Sequence, residues 1–261
     1  MNLIVKLLIL SDLHFGGGNG EEEAAEELKN FILTVYDPQE TAVCLTGDLT
    51  ENASPAEVAA VKAFIASLEL AGFLVLRVPG NHDKGFKGFM RQRDRIAHWQ
   101  SEIHPAPYPR ELMWNGWRFL LLDSCADNGP GALAQGTLGS DQLAWLKVVL
   151  SYDFPTVILM HHKPWWSVPT LRLTDANKFL SITNNARCRL VVVCGHRHYH
   201  AVWHGRDGVV LAVSAGKCTE KKREPTRGLG KLAFWKRRTF WYEFEEITLG
   251  ADLSCKIVRL E

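Results

Sequence analysis

Five times along this chain a short apolar run stops abruptly at residues able to bind a metal ion, and each ending is different. Leu7-Leu8-Ile9-Leu10 leads to Asp12 and His14, and Ala42-Val43-Cys44-Leu45 leads to Gly47-Asp48. Phe73-Leu74-Val75-Leu76 leads to Gly80-Asn81-His82-Asp83. Val157-Ile158-Leu159-Met160 ends at His161-His162, and Leu190-Val191-Val192-Val193 at Gly195-His196-Arg197-His198. Apolar runs of about four to six residues bounded by turn chemistry read as buried strands. In open α/β sheets, ligands gather beyond the carboxyl ends of such strands. The expectation is that Asp12, His14, Asp48, Asn81, His161, His196 and His198 converge on one edge of one sheet, with donors enough for two metal ions.

Helical patterns separate these runs. Residues 21–36 open with Glu21-Glu22-Glu23, suited to the positive end of a helix dipole. Ser54-Pro55-Ala56-Glu57 is a capping box with proline at the first helical position, followed by Val58, Val61, Ile65 and Leu68 on one face and a stop at Gly72. Residues 86–101 form a helix or an irregular insertion over the site. Asn115-Gly116 marks a hairpin. Further helices follow Gly139-Ser140, with Leu143, Leu146 and Leu150 inward, and span about 175–183. His204 to Gly208 is a turn, and residues 239–247 and 252–260 alternate as an antiparallel pair. Two βαβα-like halves with added strands predict an α/β fold of two stacked mixed β-sheets flanked by helices. No repeat or Ser/Gly linker interrupts the chain, so residues 1–261 are expected to form one domain, with a motif core at 7–198 and C-terminal antiparallel strands at 201–260.

The net charge of +1 gives no global attraction to nucleic acid or membrane, but its distribution is uneven. Residues 217–238 hold nine Lys/Arg against Glu220 and Glu224, a local +7. A solvated loop is the default reading, with 216–231 as its mobile part. The sharper reading is a phosphate-attracting collar for nucleic acid or an anionic lipid headgroup. The six cysteines show no CxxC pair, which points to a reducing, cytoplasmic setting. No stretch approaches the roughly 18 apolar residues of a membrane helix.

The mixed oxygen and nitrogen donors suit Mn, Fe, Zn, Co or Ni and show no thiolate preference. Two such ions about 4 Å apart can clamp a phosphoryl oxygen and hold a hydroxide for in-line attack. Asp48 is a carboxylate able to bridge them.

Taken together, Asp12-Leu13-His14, Gly47-Asp48, Gly80-Asn81-His82-Asp83, His161-His162 and Gly195-His196-Arg197-His198 resemble the complete motif series of the calcineurin-like metallophosphoesterases, in order and spacing, across residues 7–198. Gly136-Thr137-Leu138-Gly139 and the following Gln142-Leu143-Ala144-Trp145-Leu146 further resemble the branch that contains bacterial class III cyclic-nucleotide phosphodiesterases and glycerophosphodiesterases. The resemblance implies a four-layer α/β/β/α sandwich. It implies Asp12, His14, Asp48 and His198 around one metal, and Asp48, Asn81, His161 and His196 around a second. His82 then faces the substrate and protonates or hydrogen-bonds the leaving oxygen.

A small phosphodiester such as a cyclic nucleotide or glycerophosphodiester is the implied substrate. A nuclease or a pyrophosphatase acting on a nucleotide-linked lipid would keep the same metal centre. A scaffold that retains the fold for protein binding is the non-enzymatic alternative, and the intact ligand set argues against it. The sequence departs from the family pattern at Glu51 and Ala53, where the family often has Asp and Gly, so Glu51 would reach His82 with one extra methylene. Arg197 replaces a smaller residue and either touches substrate phosphate or points into solvent. His162 reads as an orienting neighbour, and Asp83 as a partner of backbone or of His82. His98, His104, His200 and His204 read as surface or loop histidines, while Trp165 and Trp166 shape the cleft or simply pack.

Overall fold

A computed structural model describes residues 4–84, 86–87, 90–91, 93–104, 106–125, 134–165, 171–206, 209–220, 222–223 and 240–260. In chain order these form β1 (Val5–Leu10), α1 (Glu21–Val35), β2 (Thr41–Leu45), α2 (Pro55–Leu70) and β3 (Leu74–Arg77), then a 3-10 turn at His82–Lys84. There follow β4 (Phe86–Lys87), β5 (Met90–Arg91), α3 (Arg93–Ile103), β6 (Arg110–Trp114), β7 (Trp117–Leu121), α4 (Gly139–Val149) and β8 (Thr156–Leu159). The remainder is α5 (Ala176–Asn184), β9 (Leu190–Cys194), β10 (Ala201–Arg206), β11 (Val209–Ser214), β12 (Lys222–Arg223), β13 (Phe240–Leu249) and β14 (Ser254–Leu260).

The five apolar runs are strands, but they do not share a sheet. One sheet runs β12-β13-β1-β2-β3, with β14 also on β13. The other runs β10-β11-β9-β8-β7-β6. β1, β2 and β3 are parallel in the first, and β7, β8, β9 and β11 in the second. The expected convergence on one sheet edge is therefore corrected: three motif strands belong to one sheet and two to the other. Sequence cannot tell these sheets apart, because strands buried on both faces read as the same continuous apolar run.

Strand alternation then builds a core in three layers. Leu7, Ile9 and Cys44 meet Phe119, Leu159, Val191 and Val193 between the sheets. Leu8, Leu10 and Val43 turn the other way, toward Leu28 and Ile32 of α1 and Val58, Val61 and Ile65 of α2. On the outer side of the second sheet, Ile158 and Val192 pack with Leu143 and Leu146 of α4 and Phe179 of α5. Helix, sheet, sheet and helix are the resulting layers.

Local sequence chemistry accounts for the element ends. The Ser54 side chain accepts from the Glu57 amide at 3.4 Å while the Glu57 carboxylate accepts from the Ser54 amide at 3.2 Å, the reciprocal box expected at the start of α2. Gly72, at φ 91°, ends that helix in the left-handed region glycine tolerates. Where residues 86–101 were expected as one helix or an irregular insertion, two short paired strands precede α3. The C-terminal strands are not uniformly antiparallel. β13 and β14 are, but β11 runs parallel to β9 and extends the second sheet. Trp166 and most of the basic 217–238 segment lie outside the described residues. Residues 216–220, expected as part of a mobile loop, are tied to the first motif: Lys217 bridges to Ser11, and the Cys218 amide donates to the Ser11 carbonyl at 3.2 Å.

Candidate metal centre

The carboxyl ends of β1, β2, β3, β8 and β9 meet where the two sheets stack. Backbone bonds zip the motif loops together: the Asp12 amide donates to Gly47 carbonyl at 3.0 Å, His14 to Asp48 at 3.0 Å, and Gly195 to His161 at 2.9 Å. Across the sheets, the His196 amide donates to Asp12 Oδ2 at 3.1 Å. Asp12 and His14 do not project from an extended segment. Asp12, His14, Asp48, His196 and His198 all adopt φ between 50° and 72°. Left-handed backbone costs roughly 1–2 kcal/mol per non-glycine residue. Five such residues in one cluster place local strain where the candidate ligands are.

Two pairs of imidazole nitrogens face each other. His14 Nε2 lies 3.3 Å from His198 Nε2, and His161 Nε2 lies 3.2 Å from His196 Nδ1. His198 Nε2 is 3.2 Å from Asp12 Oδ1, and His161 Nε2 is 3.1 Å from Asp48 Oδ2. Two nitrogens bound to one cation at about 2.1 Å would stand roughly 3.0–3.4 Å apart, so these spacings fit shared ions. Among the described residues, Asp12 Oδ1 and Asn81 Oδ1 are buried without a hydrogen-bond partner. Buried polar atoms are rarely left so. Orphaned carboxylate and amide oxygens beside closely paired imidazole nitrogens are the donor set a transition-metal ion takes, and the residues present fit it.

The second layer fixes ring orientations. His161 Nδ1–H donates to the Thr46 carbonyl at 2.8 Å, directing Nε2 at Asp48. Burial alone would lower the His161 pKa, but the charge of Asp48, its hydrogen bond and Asp12 lift it to about 9. His196 goes the other way, down to about 3, through burial and the charge of His161. His162 bonds through Nδ1 to Ser124 Oγ at 2.9 Å, and its ring packs 4.3 Å from that of His196. Burial and the adjacent histidines hold it neutral, well below its usual pKa.

Glu51 acts differently from expectation. Its carboxylate accepts from His14 Nδ1 at 2.7 Å, and its backbone carbonyl accepts from His82 Nδ1 at 2.7 Å, while the nearest carboxylate oxygen is 3.7 Å from His82. The extra methylene carries the carboxylate past His82 to His14. Asp83 bonds backbone: its oxygens accept from the amides of Leu49 at 3.2 Å, Thr50 at 2.9 Å and Gly80 at 2.9 Å, clamping the second and third motif loops together. The histidines expected at the surface divide. His104 is buried between Trp99 and Tyr108, and His200 is bonded to Glu243 and Glu245. An aromatic cage and a carboxylate pair from one distant strand left no local trace in sequence.

Gly80 is required by this packing. A Cβ there would lie 2.1 Å from Asp48 Oδ1 and 2.3 Å from the Asp48 backbone nitrogen. Backbone cannot swing aside as a side-chain tip can. Gly80→Ala should therefore lower stability by about 1–3 kcal/mol, seen in thermal unfolding, and reduce bound metal by displacing Asp48. An unchanged midpoint and full metal content would show that this loop gives way.

Several contributors carry no sequence signal. Thr46 acts through its carbonyl, and Ser124 lies on a loop far from every motif. Thr219 Oγ1 donates to the Leu13 carbonyl at 3.1 Å, and with Lys217, Asn19, Glu21, Glu220 and His198 lines a cleft of about 630 Å³ beside the centre. A larger cavity of about 820 Å³, around the Lys84–Asp123 ion pair, Trp99 and Tyr108, contains none of the candidate ligands.

The calcineurin-like phosphoesterase family model matches residues 5–200. The chain belongs to this family. A probable cyclic nucleotide phosphodiesterase from Synechococcus is 30% identical over 162 residues, covering 59% of this chain and 56% of that protein. One from Fibrobacter succinogenes is 26% identical over 166 residues, covering 62% and 58%. The chain thus spans a little over half the length of these curated relatives. Among solved structures, a dimetal phosphatase from Danio rerio superposes with a TM-score of 0.66 at 13% identity, covering 98% of this chain and 99% of that one. GAP50, the anchor in the inner membrane complex of Plasmodium, gives 0.60 at 13% identity over 98% and 84%. At such identities the likeness concerns the fold. Among the described residues no helix is long and apolar enough to cross a membrane.

Proposed function

We propose that this calcineurin-like phosphoesterase is a two-metal phosphodiesterase acting on a small phosphodiester, a cyclic nucleotide or a glycerophosphodiester. The observation that carries the reading is the gathering of Asp12, His14, Asp48, His161, His196 and His198 from both sheets, with Asp12 Oδ1 and Asn81 Oδ1 buried and unpaired among the described residues. Asp12, His14, Asp48 and His198 would hold one ion, and Asp48, Asn81, His161 and His196 the other. Bound there, two transition-metal ions would supply positive charge for the phosphoryl oxygens and bring the pKa of a water toward about 7.

The chain's own groups set the geometry. Glu51 and Thr46 turn the Nε2 atoms of His14 and His161 inward. The His82 amide donates to Asp48 Oδ1 at 2.8 Å, so the side chain that offers a proton to the leaving oxygen is tethered to the proposed bridging carboxylate. The names of the relatives favour a cyclic nucleotide within the phosphodiester class.

Chelation should abolish hydrolysis of bis-p-nitrophenyl phosphate, and Mn²⁺ or another transition metal should restore it. Six of the seven donors are imidazole or carboxylate, so Mg²⁺, which prefers all-oxygen sites, should serve poorly. Full activity in protein shown by elemental analysis to be metal-free would refute the two-metal reading. The fold likeness to GAP50 keeps a binding role as the rival, and a chain that takes up two metals yet cleaves no phosphodiester would favour it.

A further inference from the structure

Two cationic side chains close in sequence to candidate ligands have no carboxylate partner among the described residues. Lys163 follows His161-His162, and Arg197 separates His196 from His198. Lys163 is buried, donates to the Tyr199 hydroxyl, and lies 4.7 Å from the Tyr199 ring centre and 5.4 Å from that of Trp203. The Arg197 guanidinium lies 5.7 Å from the same Tyr199 ring. Its Nε and Nη1 are shielded from water and have no hydrogen-bond partner among the described residues.

An aromatic face offsets only part of the cost of removing a cation from water. Two cations that share one tyrosine and meet no carboxylate among the described residues therefore form a site of positive potential suited to a negative group. The histidines on either side of Arg197 are candidate ligands, so that negative group would lie within reach of a phosphoryl compound held at the centre. We propose that Lys163, Tyr199 and Arg197 form an anion subsite flanking the metal centre, in which Arg197 binds a phosphate oxygen of the substrate and selects for it.

Tyr199 and Lys163 are positioning residues: the ring supports the guanidinium, and the ammonium holds the hydroxyl. The oxygen belongs either to the phosphate under attack or to a second phosphate on the same molecule. The subsite deepens the phosphodiesterase reading and rests on it for the identity of the substrate, though not for its own test.

That test is calorimetric binding of AMP and ADP to metal-loaded protein, beside turnover of bis-p-nitrophenyl phosphate. Arg197→Gln should weaken AMP binding about 10- to 100-fold, the range for losing charge-assisted hydrogen bonds. Arg197→Lys keeps the charge but not the planar donor set, and should recover only part of it. Lys163→Gln should weaken AMP less than Arg197→Gln does. A larger loss for ADP than for AMP assigns the oxygen to a second phosphate, and an equal loss assigns it to the phosphate under attack. Unchanged AMP affinity in Arg197→Gln at wild-type metal content overturns the subsite. So does loss of metal or of thermal stability in Arg197→Gln that Arg197→Lys fully restores with no change in AMP affinity, since that marks a structural charge. Wild-type protein that binds AMP through Arg197 but cleaves no diester would fail the phosphodiesterase reading alone.

Discussion

Asp48→Ala should leave the chain unable to hold two metal ions and should be the most damaging change at any candidate ligand. Asp48 Oδ2 faces His161 Nε2 at 3.1 Å, and Oδ1 receives the His82 amide at 2.8 Å. One carboxylate thus serves a proposed ligand and the proposed acid at once. Losing a group that merely supports a ligand typically lowers metal affinity about 10–100-fold, and a shared ligand should cost both sites more than that. His14→Ala, by contrast, should weaken one site more than the other. Metal content by elemental analysis decides the matter, with hydrolysis as the second readout. Asp48→Asn guards against a folding defect, since it keeps the oxygen that accepts from His82 while removing the charge. Two metals per chain retained in Asp48→Ala would refute the bridge.

His82→Ala should keep both metals and lose activity in proportion to how poorly the leaving group departs. General acid catalysis contributes about 10²–10⁴-fold, or roughly 3–5 kcal/mol of barrier. A nucleoside or glycerol alkoxide needs the proton and should show the full loss. Nitrophenolate departs without help and should be much less affected. Equal losses on both substrates would make His82 a phosphate-positioning group, and loss of metal would mean that the ligands are misassigned.

The pH dependence follows from the surroundings of His82. Burial alone would lower its pKa, but the Asp48 charge, the Glu51 carbonyl and the Glu51 carboxylate together raise it in the metal-free chain. A raised pKa keeps the acid form to higher pH, so a limb in which kcat/KM falls as pH rises should be present in the wild type and absent in His82→Ala. Cations on Asp48 act in the opposite sense, so an NMR titration should find the His82 pKa lower in the loaded protein than in the metal-free one.

Much of this was legible in advance, and the reasons are specific. Two-sided burial writes a strand as an unbroken apolar run, which is why Leu7–Leu10 and Leu190–Val193 announced themselves. The Ser54–Glu57 box and the Asn115-Gly116 turn are local chemistry, complete within four residues. Donor types at run ends carry their coordination preferences wherever they stand, so the candidate ligands could be named singly. His104 and His200 misled because a buried imidazole depends on partners that lie elsewhere in the chain.

The sequence by itself determined which residues can bind metal and that each ends a buried strand, because donor chemistry and apolar periodicity are properties of short segments. Tertiary structure decided that these strands divide between two sheets, and that left-handed turns at Asp12, His14, Asp48, His196 and His198 aim the donors inward. It also decided that Glu51 serves His14, that Thr46 orients His161 through a carbonyl, and that Lys163 and Arg197 share Tyr199. Each of these depends on a backbone oxygen that every residue possesses or on the stacking of distant segments. Neither leaves a pattern along a single chain; both arise only when the two sheets close on each other.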